Sequence, residues 1–156
     1  MPASGKENVA ARLHALGVRL PAAPAPLGKY VASVRTGGLL ILSGMLPLEH
    51  GRLTVSGRIG GDVSVDAGRA AARTAALNAL AVAGEALGGL HHIRRVLRAT
   101  ASLMTTADFT AHALVADGAS EFFAALFDEG HTRVALGAFS LPLGAPVVLD
   151  VVFEVD

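Results

Sequence analysis

The chain reads as an α+β domain: a mixed sheet with two helices covering one of its faces. Three observations predict this class. Extended segments with period-two alternation stand near both ends of the chain, as in Val147 to Val155. An alanine-rich stretch from Ser64 to Leu87 is too long for a strand. Phe122, Phe123, Leu126 and Phe127 follow the i, i+1, i+4, i+5 spacing of a helix that buries one side. The predicted order is β-β-(β)-α-β-α-β, and 156 residues suffice for a single core.

Glu7 to Leu16 can form a short helix closed by Gly17. Leu20 to Gly28 contains Pro21, Pro24 and Pro26, so it can be neither helix nor central strand and reads as an extended arm. Residues 1–27 are therefore a helix plus a Pro/Ala-rich arm, and residues 28–156 the folded domain. Tyr30 to Thr36 is a first strand, and Gly37-Gly38 a two-residue hairpin turn. The apolar run Leu39 to Leu42 predicts a second strand buried on both faces. Ser43-Gly44 ends it; Gly51 and Gly57 then punctuate a loop with a short third strand near Arg58.

Ser64 is an N-cap, with Asp66 in the first turn and Gly88-Gly89 as the stop. Leu77, Leu80 and Leu87, with small Ala81 and Gly84 between, mark the face that lies on the sheet. Val96 to Met104 is the fourth strand, with Leu97, Ala99, Ala101 and Leu103 facing the core. Asp108 to Val115 makes a helical turn broken at Asp117-Gly118, and Ser120 caps a second, short helix. Arg133 to Ala138 and Val147 to Val155 are the closing strands.

Thirteen acidic and thirteen basic residues cancel, which excludes the electrostatic footprint of a nucleic-acid or membrane-surface binder. All the basic residues except Lys6 and Lys29 are arginine, the cation suited to fixed ion pairs and bidentate contacts. With no cysteine, disulfides, thiolate nucleophiles and sulfur-ligated metals are excluded together. The first residues lack the order of a signal peptide, and no apolar run is long enough to cross a bilayer, so a cytoplasmic protein is expected.

Arg133 lies in a nearly uncharged extended stretch, His131 to Gly137, whose alternation puts His131, Arg133 and Ala135 on one face. A guanidinium on a rigid strand is a receptor for a carboxylate; the plainer reading is a structural ion pair, with Asp150 or an acid of another chain. In the last strand Val148, Asp150, Val152 and Glu154 make the second, mixed side. Together with the second strand this leaves an uncovered sheet face carrying Val, Leu and Ile, which predicts burial against other copies of the chain.

Several motifs together resemble the RidA/YjgF family of reactive-intermediate deaminases, also labelled L-PSP endoribonucleases. They are Gly28-Lys29-Tyr30, Leu42-Ser43-Gly44, Asn78 in the long helix, Asp108-Phe109, Phe122-Phe123, and Arg133 followed by Leu141-Pro142. The N-terminal helix and arm, and Asp117-Gly118-Ala119-Ser120 before His131-Thr132-Arg133, mark a divergent branch. The resemblance implies a chorismate-mutase-like fold, a homotrimer whose sheets form a central barrel, and small-molecule clefts between subunits. It also implies hydrolysis of enamines and imines to 2-keto acids and ammonia, with no cofactor and no metal. Carried over residue by residue, Arg133 holds the substrate carboxylate, Tyr30 is the aromatic cleft residue, Ser43-Gly44 the Ser-Gly pair, and Ala135 a main-chain contact.

Two positions depart from the pattern. The expected asparagine aligns with Ala116 or Asp117, and the expected glutamate is Val148. Asp150, about 7 Å further along the strand, is the nearest substitute carboxylate. A non-catalytic trimeric binder of small carboxylate metabolites is accordingly the alternative to a deaminase, ahead of an endoribonuclease or a partner-binding scaffold. His131 could tune a bound anion, with a surface ion pair the plainer role. His91 and His92 should diverge rather than share a metal. Arg69 and Arg73 share a helix face that reads as a solvated stripe. Gly57-Arg58-Ile59-Gly60-Gly61 matches no phosphate-binding fingerprint.

Overall fold

In the computed structural model, which describes residues 8–156, a five-stranded sheet has the order β1-β2-β7-β5-β6. The strands are β1 (Ser33–Thr36), β2 (Leu39–Leu42), β5 (Ile93–Met104), β6 (Thr132–Ala138) and β7 (Val147–Val155). A separate two-stranded hairpin holds β3 (Leu48–Glu49) and β4 (Arg52–Leu53). Helices α2 (Val65–Leu87) and α3 (His112–Leu126) cover one sheet face, and α1 (Val9–Ala15) buries Val9 and Leu13 beside them. The predicted helix start at Glu7 lies outside the described residues.

Every main strand and both long helices of the predicted order are present, and the reasons are local. Thr36 pairs with Leu39 across Gly37-Gly38, and Gly37 has the positive φ of 54° that such a two-residue turn demands. The Ser64 side chain accepts from the Ala67 amide at 3.1 Å, and Gly88 closes α2 in the left-handed conformation. The α2 face against the sheet is a stripe of alanines, including Ala72, Ala75, Ala76, Ala79 and Ala83, with Leu80 among them and Leu77 and Leu87 at its margin.

Four expectations change. Helix α3 runs unbroken through Asp117-Gly118, and Ser120 is inside it rather than at a cap. Gly118 is there because α2 crosses so closely, not to end a helix: a Cβ would lie 2.1 Å from the Arg69 carbonyl oxygen. No strand forms at Arg58; the loop instead makes the β3–β4 hairpin and an isolated bridge at Ile59. Irregular register between Val96 and Arg98 in β5 turns Val96, not Leu97, into the core.

The fourth change concerns β2. In one chain it is not buried on both faces: Leu40 and Leu42 are buried, while Leu39 and Ile41 are 37% and 43% exposed on the uncovered side. Pairing places Val34, Ile41, Val152 and Arg98 in one cross-strand row of that face, and Asp150, Thr100 and Val134 in the next. Among the described residues, no helix is long and apolar enough to cross a membrane.

Candidate functional site

Strand β6 is an edge strand, paired in parallel with β5 alone. Arg133 stands opposite Ala99 and Ala135 opposite Ala101, both buried, so the arginine lies on the face that α3 covers. One turn of α3 presents Asp117 and Ser120, three residues apart and therefore on one side of the helix. The Arg133 Nη1 donates to Asp117 Oδ1 at 2.6 Å and to Ser120 Oγ at 3.1 Å. The pair is partly exposed, at 22% for the arginine and 38% for the aspartate side chain.

His131 immediately precedes β6, and its Nε2 lies 2.9 Å from the same Ser120 Oγ. Its ring meets Phe123 edge to face, with centroids 5.9 Å apart. Burial, and then the Arg133 charge, lower the His131 pKa from the usual 6.5. The imidazole is therefore neutral at pH 7. Because arginine can only donate, Ser120 Oγ accepts from Arg133; in the tautomer protonated at Nδ1, the serine hydroxyl donates to His131 Nε2. His131, Ser120 and Arg133 line an open groove of about 620 Å³, with Glu121, Asp128 and Glu129 on its rim.

The other candidate residues assemble elsewhere. Tyr30, Ser43 and Gly44 line a small hollow of about 30 Å³ under the arm, walled by Pro24, Pro26 and Leu27. The Leu27 amide donates to the Tyr30 hydroxyl at 3.0 Å, and the Ser43 hydroxyl to the Val31 carbonyl at 2.7 Å. Ser43 thus fixes main chain, as a backbone role requires. At Gly44 a Cβ would lie 2.8 Å from Val148 Cγ1 and 3.3 Å from Asp150 Oδ1, so this glycine lets β7 side chains approach. Loss of water contact raises the Asp150 pKa above its ordinary 3.8.

The predicted site residues therefore fall into two separate groups within one chain. Arg133 and Ala135 sit on the edge strand β6, and Tyr30, Ser43, Gly44 and Asp150 on or near β1, β2 and β7, across β5. Asp150 shares its row with Thr100 and Val134, on the opposite face from Arg133. The expected Arg133–Asp150 ion pair is therefore absent within the chain, and Asp117 takes its place. Placing a helix break at Asp117-Gly118 hid this cluster. A continuous helix would have put Asp117 and Ser120 on the side facing His131 and Arg133.

Other charged groups tie the fold. Arg69 bonds Glu121 at 2.8 Å and the Leu114 carbonyl at 2.6 Å, and Arg73 lies over the Phe122 ring. Both link α2 to α3 instead of forming a solvated stripe. His91 and His92 do not diverge: the tight 3-10 turn Leu90–His92 brings their rings to a 4.0 Å centroid separation. Among the described residues, no three His, Cys, Asp or Glu side chains converge as a metal site.

The family described as "YjgF/chorismate_mutase-like, putative endoribonuclease" matches residues 10–154. Protein TCP17 of Trypanosoma cruzi is 38% identical over 157 residues, covering 99% of this chain and 97% of that protein. A protein of unknown function from Agrobacterium tumefaciens is 38% identical, with a TM-score of 0.87, over 95% of this chain and 92% of its own. A Shewanella oneidensis structure with the same endoribonuclease description is 32% identical, with a TM-score of 0.91, over 96% of this chain and all of its own (100%). With a family model that spans nearly the whole chain and a relative 38% identical along its length, the chain belongs to the YjgF family.

Proposed function

We propose that this protein is a cytoplasmic homotrimer that binds small 2-imino or enamine acids in clefts between copies and hydrolyses them to 2-keto acids and ammonia. The observation that carries this reading is a guanidinium on an edge strand at the rim of an open groove. The complementary group, Tyr30, Ser43, Gly44 and Asp150, gathers around β1, β2 and β7, across β5 from that strand. A single chain does not bring the two groups together, whereas neighbouring copies packed through the open apolar face can. In that cleft Arg133 clamps the substrate carboxylate, after displacing Asp117 or through the Nη2 side of its fork. Main chain at Ala135, with Tyr30, Ser43 and Gly44 of a second copy, orients the C=N carbon for water, and Asp150 of that copy supplies a carboxylate with a raised pKa.

The test is ammonia release from 2-aminoacrylate generated in situ. Wild type should exceed buffer, and Arg133→Ala should lose about 100-fold or more, as expected when a bidentate charge-assisted clamp is removed. Equal rates for the two proteins would overturn the reading.

Val148 in place of the expected carboxylate favours a second reading, a non-catalytic trimeric binder with a regulatory role. Stabilisation by 2-ketobutyrate that vanishes in Arg133→Ala, with no turnover by wild type, would select it. Nuclease action has less support, because balanced charge and few aromatics give no track for a backbone. Cleavage of RNA by rigorously purified protein would reverse that order.

A further inference from the structure

We propose that Ser120 and His131 are the proton-transfer pair of this site, with His131 as general base and the Ser120 hydroxyl as its relay to the attacking water. The inference rests on the deaminase reading above and adds to it a proton-transfer route to the attacking water from the Arg133 side of the cleft. Three observations carry it. The Ser120 hydroxyl is held at both ends, accepting from Arg133 at 3.1 Å and lying 2.9 Å from His131 Nε2. The pair opens on the groove that Arg133 lines. Position 148 is valine, and Asp150 lies on the opposite sheet face of the same chain.

The geometry suits an imino acid. Its C2 is bonded directly to the carboxylate that Arg133 would hold. With charge-assisted bonds of about 2.8 Å, this puts the C=N carbon on the order of 5 Å from Ser120 Oγ, room for one water between. That water attacks C2, forming a C–O bond while the C=N π pair moves to nitrogen. Its proton passes to Ser120 Oγ as the serine proton moves to His131 Nε2. His131 returns the proton through Ser120 to the carbinolamine nitrogen. The carbinolamine hydroxyl proton then passes to the amino nitrogen, the C–N bond breaks, and ammonia leaves with the bonding pair as the ketone forms. Imino acid and water become keto acid and ammonia, and the pair ends as it began.

A base must be unprotonated to act, and the surroundings of His131 favour that state. Arg133 stands on its own segment; Asp117 and Glu121 come from α3, and Asp128 and Glu129 from the loop between. Burial and the Arg133 cation outweigh these acids and hold the pKa down.

The experiment measures ammonia release from 2-iminobutanoate between about pH 5 and 9, with 2-ketobutyrate thermal shift as a separate readout of the site. In wild type the rate should rise through a pKa below 6.5, the value His131 departs from. His131→Gln should lose about 100-fold or more and lack that acidic limb, while keeping the ketobutyrate shift. Ser120→Ala, which leaves the ring packed on Phe123, should lose about 10-fold or more with the shift intact, and it decides the question if His131→Gln fails to fold. A wild-type rate or an unchanged acidic limb in these variants overturns the proposal. So does a loss of rate matched by loss of ketobutyrate binding, which marks the pair as structural. Failure of the underlying reading looks different: no ammonia from wild type, or none of it dependent on Arg133, removes both.

Discussion

At Gly118 the main chains of α2 and α3 leave no room for a methyl group, since a Cβ would lie 2.1 Å from the Arg69 carbonyl oxygen. Backbone cannot yield as a flexible side chain does, so Gly118→Ala should cost about 3 kcal/mol or more, read by urea denaturation. Unchanged stability would mean that the helices stand further apart. Asn78, 1% exposed, donates from one amide nitrogen to the Leu46 and Leu48 carbonyls at 2.9 and 3.0 Å. It thereby holds the β3–β4 hairpin to α2. Asn78→Leu keeps the branching of the side chain but strands both carbonyls, and should cost roughly 2–4 kcal/mol. His131 gives a pH signature. Its folded pKa lies below the unfolded value of 6.5, so above that pH both states are neutral and the group contributes nothing. As pH falls through 6.5 the unfolded chain takes up a proton first, and stability declines until the folded ring protonates too. In His131→Gln that part of the decline should disappear from the pH dependence of unfolding.

At the scale of elements, the sheet face without helices is the surface through which the proposed trimer would assemble. Val34, Leu39, Ile41 and Leu136 are each more than a third exposed there, and pairing puts Val34 and Ile41 in one cross-strand row with Val152. Buried on association, such a row contributes about 25 cal/mol per Å² of apolar area, whereas left open it invites aggregation. Ile41→Asp or Val152→Asp should therefore shift the protein from trimer to monomer or aggregate in light scattering, while wild type runs as a trimer. A wild-type monomer would remove the reason for an intersubunit cleft. The same elements show how far a sequence can be read. Strands β6 and β7 and helix α2 were legible because alternation, Ser64 and Gly88 are local signals. The continuity of α3 was not, because Gly118 serves a helix crossing that depends on Arg69, 49 positions earlier in the chain. The irregularity that swaps Leu97 for Val96 likewise arises from pairing between β5 and β7.

For the whole molecule, the candidate site was legible as a set of residues but not as a place. Motif by motif, Tyr30, Ser43, Gly44, Arg133 and Ala135 could be picked from the chain, yet they divide between the edge strand β6 and the β1–β2 end of the sheet. In the proposed trimer a symmetry operation, which no local pattern encodes, would bring them together. The Asp117–Ser120–His131 surroundings of Arg133 were hidden for the related reason that they depend on how α3 lies across β6. The central claim is that Arg133 receives a carboxylate where two copies meet, and a crystal structure of the protein with 2-ketobutyrate tests it most directly. The ligand carboxylate should sit on the Arg133 guanidinium, with Tyr30 and Gly44 of a second copy against its carbon chain. Arg133 still bound to Asp117, facing solvent far from any second copy, with the keto acid absent or elsewhere, would contradict it.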